Sequence, residues 1–165
     1  MSEDKLIKIG IIIFSRMSSK RLPFKALQKI NGEELVLRAF NSCRHLRKKI
    51  PIILATSKNP EDDKLCEFAK NKFIEIYRGS LDNLVDRAYK TCLEYKLTHF
   101  IRFCGDRPLF PRSLIDLMLN SINNYDLDLL SSKFSSNQLP PGLTAEIVSI
   151  KSLKYINENT INKNH

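Results

Sequence analysis

The run Leu6-Ile7-Lys8-Ile9-Gly10-Ile11-Ile12-Ile13-Phe14 is followed at once by Ser15-Arg16-Met17-Ser18-Ser19-Lys20-Arg21-Leu22-Pro23-Phe24-Lys25, and these two stretches decide how the chain is read. The first is a nearly continuous β-branched apolar run, the pattern of a strand buried on both faces. The second, mostly polar or basic with Pro23 inside, predicts a loop. That loop holds no glycine, so neither a Walker turn nor a G-x-G-x-x-G turn can operate there. It offers instead the cations Arg16, Lys20, Arg21 and Lys25 and the hydroxyls of Ser18 and Ser19, on a path stiffened by Pro23. Fixed cationic side chains hold phosphate as backbone amides do, each charge-assisted contact contributing roughly 1.5–3 kcal/mol.

Outward from this point, strand and helix patterns alternate. Asn31-Gly32 marks a turn, and Glu33 to Leu46 carries apolar residues at helical spacing, acids first and Arg44, Arg47, Lys48 and Lys49 last, as a helix dipole prefers. Pro51 to Ala55 predicts a second strand. Asn59-Pro60-Glu61-Asp62-Asp63 is a helix start, with a capping Asn, proline in the first turn and then acids. Phe73 to Tyr77 predicts a strand, Ser80 to Lys96 a helix, His99 to Cys104 a strand, and Leu114 to Ile122 the body of another helix. Asp126 to Ser131 and Ala145 to Ile150 follow as strands around a polar loop with Pro140-Pro141-Gly142, and Asn157 to His165 is expected to fray. Strands alternating with helices imply parallel crossovers and a doubly wound, three-layer α/β fold with a mostly parallel sheet. Ligands of such sheets bind beyond the carboxyl ends of the strands, which places the loops at 15–25, 56–58, 78–80 and 104–107 on the functional edge.

Composition narrows the partners. A chain of 165 residues with 42% hydrophobic and 27% charged residues suits one soluble domain, here 1–156. No apolar run approaches the roughly 20 residues of a membrane span, and the segment at 9–14 is too short for a signal-peptide core. Cys43, Cys66, Cys92 and Cys104 are widely and irregularly spaced, which suits reduced, buried thiols in a cytoplasm better than disulfides or a zinc site. Residues 16–49 hold ten Lys or Arg against Glu33 and Glu34, a surplus of eight within a net charge of +9. Such a concentration implies a polyanionic partner (nucleic acid, nucleotide phosphates or an acidic substrate), or else a basic solvated face. Stacking aromatics interleaved with the cations and a nucleic-acid motif are absent, which argues against nucleic acid.

The ordered string Arg16, Ser19, Arg21, Leu22, Pro23, Lys25 resembles the R-x-x-S-x-R-L-P-x-K pattern of the cytidylyltransferases that activate acidic sugars, the acylneuraminate and 3-deoxy-manno-octulosonate enzymes, and is closest to their spore-coat polysaccharide branch. The resemblance continues through Gly32, Ala55-Thr56-Ser57, Asp62-Asp63 and Tyr77-Arg78-Gly79-Ser80 to Leu84, and then Gly105-Asp106, Pro108-Leu109, Pro111 and Leu114-Ile115-Asp116. It spans residues of about 7 to 150 in order.

The resemblance implies a nucleotide-diphospho-sugar transferase-like fold, and a transfer of the cytidylyl group of CTP to an acidic sugar, giving a CMP-sugar and pyrophosphate. Arg16 and Lys25 would hold the triphosphate with help from Arg21. Ile13, Phe14, Ser15, Ser57, Arg78, Gly79, Ser80 and Gly105 would frame the base and ribose, and Asp106 would bind Mg2+, which favours a carboxylate with phosphate oxygens. Relatives run on into a part that supplies a dimerisation arm and a second metal aspartate, so a homodimer is implied only if that part exists. Two departures stand out. Phe24 occupies a position usually small in the spore-coat branch, and Cys104 one that is often Gln or Thr. A catalytically impaired nucleotide-binding homologue, or a nucleotidyltransferase for another nucleotide or sugar, stays open as the alternative.

Other residues carry plainer readings. Asp62 and Asp63 serve as readily as first-turn dipole residues as ligands. Arg102 reads equally as a surface charge or a site residue, and His45 and His99 as structural residues within their elements.

Overall fold

The computed structural model describes residues 7–19, 21–46, 48–122, 127–133, 140 and 143–159. Lys20, Asp126, Pro141-Gly142 and the tail beyond Asn159 lie outside the described residues.

The first run forms β1 (Ile9–Phe14), at the centre of a six-stranded sheet. After a single 3-10 turn (Lys25–Leu27), β2 (Lys29–Ile30) and β3 (Glu33–Glu34) make a small hairpin. Asn31 and Gly32 both have positive φ, 50° and 82°, as a two-residue turn between twisted strands requires. This hairpin takes Glu33 and Glu34 from the front of the expected helix, and α1 runs Leu35–Cys43. Then come β4 (Ile52–Ser57), α2 (Asp63–Asn71), β5 (Glu75–Gly79), α3 (Leu84–Glu94) and β6 (His99–Cys104). The expected cap at Asn59 is present: its side chain accepts from the Glu61 amide at the 3-10 turn ahead of α2. The Ser80 helix begins later than its pattern suggested, because Asn83 caps it by accepting from Asp86 N.

The chain continues through α4 (Arg112–Ile122), β7 (Leu129–Ser131) and β8 (Glu146–Ser149). It then forms α5 (Ile150–Asn159), a helix where the sequence suggested a strand end and a fraying tail. Ser149 Oγ accepts from Ser152 N in its first turn, and Leu153 buries against the face that α3 covers.

The strand order is β5-β4-β1-β6-β8-β7, with β5, β4, β1 and β6 parallel and β8 antiparallel to both of its neighbours, β6 and β7. The sheet is therefore mostly parallel, as expected. Alternating residues of β1 serve two cores. Ile9, Ile11 and Ile13 pack with α1, α2 and α4, while Ile12 and Phe14 pack with α3 and α5. Helices on both faces give the three layers and explain why β1 has no polar alternation.

From β1 the chain steps outward to β4 and β5, then crosses back to lay β6 on the other side of β1. The β1–β6 junction is thus the topological switch point, where open α/β sheets leave a crevice. Among the described residues no helix is long and apolar enough to cross a membrane. Cys43, Cys66 and Cys92 are buried free thiols, Cys104 is half-buried, and burial pushes Cys43 and Cys92 up to about 12.

Candidate functional site

The parallel register ends β1, β4, β5 and β6 side by side at Phe14, Ser57, Gly79 and Cys104. All four loops assigned to the functional edge therefore leave the sheet on one side. At the switch point Gly105 N donates to Phe14 O at 2.9 Å. A Cβ at Gly105 would lie 2.8 Å from Ser15 Cβ, so only glycine lets the two loops approach this closely.

Across that approach Lys25 Nζ donates to Asp106 Oδ2. Both side chains are partly exposed, at 27% and 40%, so this is a hydrated pair at the mouth of the crevice rather than a sealed one. Burial alone would raise the Asp106 carboxyl, but the hydrogen bond and charge of Lys25, with Arg107 nearby, outweigh it and hold the pKa below the usual value. Asp106 is thus an ionised carboxylate at neutral pH. Arg16 and Arg21 are exposed on the same loop. The loop's fold depends on one residue in the left-handed region, Phe24 at φ 58°, whose amide donates to Met17 O at 3.1 Å.

The loop is fastened by a residue that sequence reasoning treated as a helix-start acid. Asp62 is 1% exposed, and both its oxygens are occupied. Oδ1 accepts from Met17 N at 2.7 Å; Oδ2 accepts from Ser57 N at 3.0 Å and from Ser57 Oγ. Burial raises its pKa, but the Ser57 and Met17 hydrogen bonds outweigh that, and the net direction is down. One carboxylate thereby joins the 15–25 loop to the end of β4. Only the Asp-Asp pair after a strand hinted at this, because the partner Met17 lies 45 residues away.

The neighbouring loops are similarly tied. Ser57, fully buried, gives its hydroxyl to Asp62 and its carbonyl to Arg78 Nε at 3.0 Å. Arg78 Nη2 also donates to Asn59 O at 3.1 Å and pairs with Asp63 at 2.7 Å. The Arg78 guanidinium is thus engaged within the β4–β5 corner, and Asp63 is its counter-ion. Ser80 Oγ accepts from Asn83 N at 3.0 Å, and Lys58 N donates to Gly79 O at 3.0 Å, closing the turn after β5. Beside that turn a cleft of about 410 Å³ is lined by Lys58, Asn59, Tyr77, Gly79 and Ser80 together with α3 residues.

On the other side of Asp106, a smaller cavity of about 120 Å³ is lined by Arg102, Cys104, Arg107, Lys133, Thr144 and Glu146. Arg102 Nη1 contacts Glu146 Oε2 at 3.0 Å across β6 and β8, so it belongs to this cavity wall rather than to a featureless surface.

The three-layer sheet thus brings a glycine-free cationic loop and a carboxylate together at its switch point. A family profile described as cytidylyltransferase matches residues 10–164, and the chain belongs to that family. The spore coat polysaccharide biosynthesis protein SpsF of Bacillus subtilis is 29% identical over 149 residues, 88% of this chain and 60% of that protein. An uncharacterized protein of Methanocaldococcus jannaschii is 28% identical over 148 residues, 90% of this chain and 59% of its own length. The chain thus spans about three-fifths of the length of these curated relatives. A cytidylyltransferase structure from Leptospira borgpetersenii superposes with TM-score 0.87 at 24% identity, covering 96% of this chain and 67% of that one, a likeness of fold.

Proposed function

We propose that this chain carries the nucleotide-binding part of an enzyme that transfers the cytidylyl group of CTP to an acidic sugar, for surface polysaccharide or glycan synthesis. The observation that carries the reading is the Lys25–Asp106 pair at the switch point, with Arg16 and Arg21 exposed on the same loop as Lys25. Cations placed to contact phosphate oxygens and a carboxylate available to a counter-cation are the two groups that a metal-bound triphosphate requires.

In this reading Arg16, Lys25 and Arg21 bind the triphosphate, and Lys25 offsets charge on the α-phosphoryl oxygens and the leaving pyrophosphate. The backbone at Phe14 and Ser15, with Gly79, Ser80 and Gly105, frames the base and ribose, while Ile13, Ser57 and Arg78, buried or engaged within the fold, support that frame from behind. The sugar's anomeric oxygen forms a bond to the α-phosphorus, the bond from that phosphorus to the bridging oxygen breaks, and the hydroxyl proton leaves to solvent. Positioning and charge neutralisation carry such a transfer without a covalent nucleophile.

Among the described residues no cluster of three His, Cys, Asp or Glu could by itself hold a metal ion. The fit is instead that of Mg2+, which binds through one or two carboxylates plus substrate phosphates, with Asp106 as the carboxylate. Such an ion supplies charge neutralisation at the phosphates when bound. The cavity lined by Arg107 and Lys133, with Arg102 paired to Glu146, supports an acidic acceptor. A cytoplasmic setting accords with the unpaired, buried thiols of Cys43 and Cys92.

The test is pyrophosphate release by the full-length protein with CTP and a panel of nonulosonic acids, alongside thermal shifts with CTP, GTP, UTP and ATP. Turnover with at least one acid and selective stabilisation by CTP are expected. No release with any acid sinks the reading, and equal shifts with all four nucleotides remove the assignment to cytidine.

A further inference from the structure

Arg87 lies in α3, where an amphipathic reading places a charged residue outside. It is instead 4% exposed, and its Nε and Nη1 have no hydrogen-bond partner. Its stem runs against the turn after β5, since a Cβ on Gly79 would meet Arg87 Cγ at 2.9 Å. Its guanidinium reaches over the Phe14 ring, 5.7 Å from the centroid, at the end of β1. The side chain therefore spans the sheet edge from Gly79 at the end of β5 to Phe14 at the end of β1, where the cationic loop begins.

A buried guanidinium is stable only with acceptors around it. Arg87 faces instead an aromatic ring and a second cation. Burial depresses its pKa first, the charge of Arg16 adds to that, and only Asp62, already engaged with Met17 and Ser57, acts in the other direction. Two guanidinium groups held near each other, one with free donors, make a place for one shared anion.

We propose that Arg87 is a further phosphate ligand of this site, its Nε and Nη1 donating to a phosphoryl oxygen of the nucleotide that Arg16 also holds. This rests on the nucleotide-binding reading above, but not on the identity of the base or sugar. The donors lie against Phe14 and the Gly79 turn, next to the start of the loop that bears Arg16. Binding then supplies the acceptors that the buried guanidinium lacks.

Calorimetric titration of the wild-type protein and of Arg87→Met and Arg87→Lys with inorganic tripolyphosphate and with CTP tests this. Both anions are expected to bind Arg87→Met at least tenfold more weakly, by a similar factor. Arg87→Lys, which keeps the charge but loses the fork, is expected to fall between, with an unchanged melting temperature. Tripolyphosphate binding equal to wild type in both variants overturns the proposal, as does a wild-type protein that binds no tripolyphosphate. If Arg87→Met fails to fold, Arg87→Lys decides, and unaltered tripolyphosphate affinity in it overturns the proposal. Tripolyphosphate binding that depends on Arg87, without preference for CTP over other nucleotides, leaves this inference standing and removes the cytidine assignment instead.

Discussion

On the β1–β4 side of the crevice the polar groups are fastened by the protein itself. Asp62 holds Met17 and Ser57, Ser57 holds Arg78, and Arg78 holds Asp63. On the β6–β8 side the described contacts are looser: one exposed pair, Arg102 with Glu146, in a cavity otherwise offering Arg107 and Lys133. The first side is built around a buried, ionised carboxylate whose hydrogen bonds are made within the fold. The second presents cations at the surface, where pairing within the protein contributes little. On the proposed function the contrast is a division of labour, in which the nucleotide half is pre-organised and the acceptor half is left to be completed by what binds there.

The strongest way to break this contrast is at the residue joining the two sides. Lys25→Ala removes the cation facing Asp106, and pyrophosphate release by the full-length protein is expected to fall about 10²–10³-fold. Steady-state assays should show the loss in kcat with stability nearly unchanged, because the pair is partly exposed. A variant with normal kcat would place the chemistry elsewhere.

Next is the fastening itself. Asp62→Ala leaves the Met17 amide, the Ser57 amide and the Ser57 hydroxyl without an acceptor, costing about 3 kcal/mol at roughly 1 kcal/mol or more for each orphaned donor. Denaturant unfolding at pH 7 measures it. The pH dependence has a defined sign. Because the folded pKa of Asp62 lies below its ordinary 3.8, its stabilisation is present above that value and is lost as pH falls through the lower, folded one. Asp62→Asn should therefore flatten the acid limb of the stability curve below about pH 4, while leaving any contribution from Asp106 in place.

On the looser side the effect is smaller and of another kind. Lys133→Ala is expected to raise the KM for an acidic acceptor about tenfold, near 1.4 kcal/mol, with the KM for CTP unmoved. Equal changes in both constants would mean that the two halves are not separable.

How much of this the sequence could show follows from where each signal resides. Buried parallel strands declare themselves locally, so β1, β4, β5 and β6 and the loops at their ends were legible, as was the Arg16 to Lys25 string. The role of Asp62 was not, because an acid after a proline in a first turn already has a sufficient local explanation, and its partner Met17 is distant in the chain. Arg87 was hidden for a similar reason, since helical periodicity assigns a charge to solvent and only the tertiary fold shows it buried against the Phe14 ring. Helix α5 went unread because its pattern is weak: Leu153 is its one buried residue, and the apolar Tyr155 is largely exposed.

The smallest effect sharpens the comparison most finely. Phe24 holds φ 58° while its side chain is about half-exposed, so the ring recovers little burial for a conformation that L-residues with a Cβ resist by roughly 1–2 kcal/mol. Phe24→Gly removes that resistance, but adds unfolded-state entropy of about 0.5–1 kcal/mol, so the expected net gain is about 0.5 kcal/mol. Phe24→Ala keeps the resistance and loses the ring, so it should gain nothing. The informative quantity is therefore the difference between the two variants, expected to be about 0.5 kcal/mol in favour of glycine, from denaturant unfolding of both. A difference of that size means the loop holds its left-handed turn without a ligand, as a pre-organised nucleotide side requires. No difference would mean that the loop samples other backbone states on its own, and the nucleotide half would then be as dependent on its ligand as the acceptor half.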